Sequence, residues 1–223
     1  MTHLDTELQL LKKSIIEMFA LVIHQLNKAK DAVIKFDKDL ASDVDINEKR
    51  VNVYELKIDR DCENILALYN PVAVDLRLVL AALKINYNLE RIGDYAQGIA
   101  LIVKDTKRPF EKELFEKTKV LDMFYMSIAI LNDAMESFET ENNKLARTVF
   151  TKDEKLDEIN RKANSALSEL FINKPEEIHQ CLNILSVIRK LERVGDQTKN
   201  IAEEIIFYVE AKVLKHRNKT KEK

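Results

Sequence analysis

The sequence predicts an all-α fold of two tandem, internally duplicated, antiparallel three-helix bundles, and three observations lead there. Helix breakers are scarce, with three glycines and three prolines in 223 residues. Apolar residues (46%) and charged residues (33%) alternate in steps of three and four, the period of a helix with one buried face. The third observation is a repeat. "LERIGDYAQGIA" at 89–100 and "LERVGDQTKNIA" at 191–202 hold all three glycines and lie 192 − 90 = 102 residues apart, close to half the chain, as duplication of one unit would place them.

The elements follow in order. Leu4, Leu8, Leu11, Ile15, Met18, Val22, Leu26, Ala29, Val33, Phe36 and Leu40 mark one long amphipathic helix. "ASDVDIN" (41–47) is rich in Ser, Asp and Asn and reads as a loop and N-cap. A second stripe runs Val51, Ile58, Cys62, Ile65, Tyr69 until "NP" at 70–71 breaks it. A third, apolar over much of its circumference, runs from Leu78 to Val103 and ends in "KDTKRP". The order then recurs. One helix carries Leu121 to Phe138, another spans about 153–172 and breaks at "NKP" (173–175), and the last runs from Ile184 to Tyr208. Six helices result, in two units of 1–108 and 109–223 joined near Arg108 and Pro109, with short connections that make neighbours antiparallel.

Composition narrows the function. A formal net charge of −2, with Lys and Arg spread through the chain, argues against a nucleic-acid partner. No apolar run reaches the ~18 residues of a membrane span, and the polar "MTHLDTEL" start does not read as a signal peptide. A cytoplasmic protein is expected, with Cys62 and Cys181 as reduced core thiols. The basic tail "KVLKHRNKTKEK" reads as a frayed, solvated end.

The repeated phrase carries acids. Glu90 and Asp94 are four apart and share one helix face about a turn apart, beside the buried stripe, and Glu192 and Asp196 repeat this. A glycine costs a helix about 1 kcal/mol relative to alanine, so Gly93 and Gly195 at matching places imply close approach of a helix or ligand. The preceding helices add Glu55 and Asp59, with Glu48 about two turns earlier on the same side, and Asp153 with Asp157 in the second half. Carboxylates among apolar residues protonate or find a partner. From spacing alone two partners stay open: a cation, or arginines such as Arg91 and Arg193 in salt bridges. No His or Cys joins these acids, which excludes a structural Cys/His zinc site and suits oxygen-seeking Mg, Mn, Ca or oxidised iron. The one Glu-x-x-His, Glu176 with His179, has no counterpart near Asp75 and reads as coincidence at a helix start.

With these residues in place, the chain resembles the PhoU family of phosphate-uptake regulators. "DLRLVLAALKINYNLERIGDYA" (75–96) and "LERVGDQTKNIAEEIIFYVEAK" (191–212) match most strongly, and the duplicated layout extends the likeness over nearly the whole chain. The resemblance implies a cytoplasmic, self-associating protein, a homodimer, built from two similar three-helix bundles. It implies multinuclear metal clusters on E/DxxxD motifs, here Glu55/Asp59, Glu90/Asp94, Asp153/Asp157 and Glu192/Asp196. Iron comes first by this resemblance, then zinc, manganese or magnesium. It implies a non-enzymatic negative regulator linking a phosphate ABC transporter, through its ATPase, to a sensor histidine kinase when phosphate is plentiful. One departure stands out: Glu55 and Asp59 fall opposite Asn160 and Asn164, while Glu48 and Asn52 fall opposite Asp153 and Asp157, so two metal sites would differ in shape. The rival readings are a metal-dependent enzyme or metal store, and a metal-free helical adaptor.

Overall fold

Each helix begins and ends where local chemistry requires. The structure, a computed structural model, describes residues 2–214, so most of the basic tail lies outside the described residues. α1 (His3–Lys35) opens on a capping box in which Thr2 Oγ1 accepts from the Asp5 amide while Asp5 Oδ2 accepts from the Thr2 amide. It stops where Phe36 turns left-handed at φ 53°. Asp37 then caps α2 (Lys38–Tyr69), its Oδ1 accepting from the amides of Asp39 and Leu40.

This junction corrects the sequence reading. The first helix does not reach Leu40, and the expected loop "ASDVDIN" is helical. Ala41, Val44, Glu48 and Val51 are buried at helical spacing, so packing overrides the weak helix preference of the Ser and Asp residues between them. α3 (Ala73–Asp105) follows the break at Asn70 and Pro71.

A short α4 (Lys112–Thr118), not foreseen, buries Leu114 and sets the Phe115 ring 6.1 Å from that of Phe110. α5 (Val120–Thr140) is shorter than α1, at 21 residues against 33. α6 (Asn143–Asn173), capped by Asn142, starts well before residue 153. The break at "NKP" becomes a 3₁₀ turn, Pro175–Glu177, which leads into α7 (Ile178–Glu210). Seven α-helices are therefore described, arranged as two tandem bundles.

α1, α2 and α3 pack together, as do α5, α6 and α7. Between the halves α3 runs against α7 and α1 against α5. Lys84 pairs with Glu204 at 3.0 Å and Asn200 reaches Asn88 at 3.4 Å, a register that makes α3 and α7 antiparallel and sets Gly93 level with Gly195. Phe19 of α1 meets Phe138 of α5 with ring centroids 6.4 Å apart, both fully buried. The buried apolar residues of both halves form one continuous cluster. Cys62 and Cys181 are free and buried within it, and burial pushes the Cys62 thiol up to about 12. No described helix is long and apolar enough to cross a membrane.

Candidate functional site

The role of Gly93 becomes clear from what approaches it. α2 carries Glu48 into the bundle until it is only 3% exposed. A Cβ on Gly93 would stand 3.0 Å from Glu48 Oε2, 3.2 Å from Val51 Cγ1 and 3.3 Å from Gln25 Oε1. The glycine thus lets α2 seat a carboxylate against the backbone of α3, between Glu90 and Asp94. Gln25 of α1, fully buried, donates from Nε2 to Glu48 Oε2 at 3.0 Å. Glu48 Oε1 is buried without a hydrogen-bond partner.

Burial, reinforced by mutual repulsion, raises the carboxyls of this first-half face. Burial, then the charges of Asp94 and Glu55, push the Glu90 carboxyl up to about 7, against a weaker opposing pull from Arg91. Burial and the charges of Asp59 and Asp94 raise Glu55. Glu48 is raised by burial, with Asp94, Asp45 and Glu55 adding to it and the Gln25 hydrogen bond opposing. Asp59 is tied down separately, accepting from Asn86 Nδ2 at 2.9 Å. Arg91 pairs with Asp94 of its own helix at 3.3 Å with both side chains partly exposed, a contact worth little in water.

The second half repeats the plan with one change. Asp153 of α6 is 2% exposed, and a Cβ on Gly195 would stand 2.5 Å from its Oδ1 and 2.8 Å from Leu156 Cδ1. Here the carboxylate has a cation. Lys199 Nζ lies 2.8 Å from Asp153 Oδ2 and 3.1 Å from Asp196 Oδ1. Burial still raises Asp153 overall against the Lys199 hydrogen bond. Glu192 is raised by burial and by Asp196 and Asp157. Asp157, Asn160, Asn164, Glu192 and Asp196 line one open groove, so the two asparagines do stand where the first half has Glu55 and Asp59.

The sequence-selected acids therefore gather as two faces: Glu48, Glu55, Asp59, Glu90 and Asp94 on one, Asp153, Asp157, Glu192 and Asp196 on the other. Neither is a closed cage. Among the described residues no three His, Cys, Asp or Glu side chains converge closely enough to hold one ion. An all-oxygen donor set with an orphaned buried oxygen on Glu48 suits a hard cation bound at an open face. Glu176 and His179 both lie at an exposed groove by the start of α7, away from these acids. Gln25, Asn86 and Lys199 were not picked out from sequence. Gln25 could have been, as a polar residue on the stripe between Val22 and Leu26.

Fold and site together define a duplicated helical-bundle protein with a glycine-seated acidic face in each half. A family model described as the PhoU domain matches residues 15–103 and 120–205. The chain is 31% identical over 216 residues to the phosphate-specific transport system accessory protein PhoU homolog 1 of Thermotoga maritima, covering 96% of this chain and 91% of that one. Identity to the accessory protein PhoU of Escherichia coli K12 is 30% over 212 residues, covering 95% and 87%. The crystal structure of PhoU from Pseudomonas aeruginosa superposes with a TM-score of 0.85 at 31% identity, covering 93% of this chain and 99% of that one. The chain belongs to the PhoU family.

Proposed function

We propose that this protein is a cytoplasmic accessory regulator of phosphate transport. It restrains a phosphate ABC transporter and the associated sensor kinase through protein contacts, and uses its acidic faces to hold cations. The observation that carries the proposal is the family match over both halves, with relatives named as accessory proteins of phosphate-specific transport aligned over nearly their whole length. The faces support the cation component, since Glu90 is pushed up to about 7 chiefly by burial and by neighbouring carboxylates, and a bound cation relieves that repulsion. Glu48, Glu55, Glu90 and Asp94 are the residues that would hold it. The chemistry it supplies is charge neutralisation, which lets a partner or a second copy of the chain dock against an otherwise strongly negative surface.

A clean deletion strain without a paralogue tests the regulatory claim. Phosphate-starvation genes should stay on in phosphate-rich medium and be silenced again by the wild-type gene. Normal repression in the deletion strain removes the claim.

A further inference from the structure

We propose that Lys199 is a resident cation of the second acidic face, so that added metal ions load the first half of the molecule and not the second. The inference rests on the reading that these acids seek a cation, and it assigns a different occupant to each half.

The two faces are matched by the repeat, and at the spacing of the signature phrases the counterpart of Lys199 is Gln97. Lys199 bridges Asp153 and Asp196 at 2.8 and 3.1 Å with its side chain 33% exposed, so a positive charge already stands between the buried acid and the signature acid. Gln97 is neutral and turned elsewhere, donating to Asp45 Oδ1 at 2.8 Å. Asp45 is in turn bound by Lys104 at 3.1 Å, so that ammonium is also spent outside the face.

Glu48 has only the neutral Gln25 amide as donor, and its Oε1 has no partner although the residue is 97% buried. Arg91 stands at the first face, and Arg193 and Arg161 stand at the second. The first face then sets five carboxylates against one guanidinium. The second, counting the Glu154 that shares its groove, sets five against two guanidiniums and an ammonium, with Asn160 and Asn164 where the first half has Glu55 and Asp59. The first face is thus the more negative. Each face holds one buried carboxylate oxygen without a hydrogen-bond partner, Glu48 Oε1 and Asp153 Oδ1, but only Asp153 has an ammonium on its other oxygen.

The test is manganese(II) uptake by the chelator-stripped full chain, followed by calorimetric titration and by metal analysis after desalting. Wild type should take up manganese in a process lost in Glu90→Gln/Asp94→Asn and unchanged in Glu192→Gln/Asp196→Asn. Lys199→Gln, which copies Gln97, should gain a second uptake roughly equal to the first, and Glu192→Gln/Asp196→Asn should remove only that gain. Wild-type uptake that falls with the second-half pair overturns the Lys199 assignment while leaving the cation reading intact. So does a folded Lys199→Gln chain that gains nothing. No uptake by wild type or by Lys199→Gln overturns both. The comparison of the two wild-type-background pairs decides the matter even if Lys199→Gln does not fold.

Discussion

Asp153 rests on Gly195: its Oδ1 lies 2.5 Å from where a Cβ at that position would stand. The relationship makes the three glycines distinguishable by one substitution. Gly→Ala inside a helix ordinarily stabilises by up to about 1 kcal/mol. At Gly195 the new methyl meets Leu156 at 2.8 Å as well as a carboxylate that is 2% exposed and held by Lys199. Neither can swing away, so Gly195→Ala should destabilise by about 1–3 kcal/mol. At Gly93 the nearest atom is 3.0 Å away, and Gly93→Ala should be close to neutral. At Gly98 the methyl meets only the flexible end of Lys190, and Gly98→Ala should stabilise by roughly 0.5–1 kcal/mol. Urea denaturation of the three variants checks the order.

The pH dependence of the stripped protein follows from Glu90. Its folded carboxyl titrates at about 7, against 4.5 for an unperturbed glutamate, so between those values the folded state holds a proton that the unfolded state has lost. Stability should therefore fall as pH rises from about 4.5 to about 7. Glu48, Glu55, Asp153 and Glu192 are raised as well and act in the same direction. Glu90→Gln should flatten this slope, and cation affinity should rise with pH over the same window because the ligand must be deprotonated. Denaturation curves across that range, with and without chelator, measure both effects. A wild-type slope unchanged by Glu90→Gln contradicts the assignment.

The shared core predicts a cooperative molecule. Phe19 and Phe138 join the halves through α1 and α5 and are fully buried. Phe19→Ala should cost about 3–5 kcal/mol and lower a single unfolding transition. Two separated transitions in calorimetry, with only one moved by Phe19→Ala, would show that the halves unfold independently.

Long stripes such as Leu78 to Val103 were legible in the sequence because burial imposes the helical period, and the breaks at Asn70–Pro71 and Pro175 because proline leaves few alternatives. The end of α1 was not. Phe36 and Leu40 keep the apolar period across a junction made by one left-handed residue and the Asp37 cap, a change of direction that periodicity cannot register. α4 was missed because seven residues show too little periodicity. The acids were found from repetition and spacing, since a turn of helix puts Glu90 beside Asp94. Their partners were not, because Gln25 reaches Glu48 from another helix and Lys199 looks like any charge three residues after an aspartate. The difference between the halves therefore emerges only from tertiary contact.

The acids' need for a cation is the central physical claim, and a thermal melt of the stripped protein tests it most directly. Glu90→Gln/Asp94→Asn keeps shape and most hydrogen bonding while removing two negative charges from the first face. Without metal the variant should melt at or above wild type. With iron or manganese, wild type alone should gain stability, by about 2.7 kcal/mol when free metal is 100 times its dissociation constant. Wild-type melts that are identical with chelator and with every cation, together with a variant that is weaker in all conditions, would contradict the account.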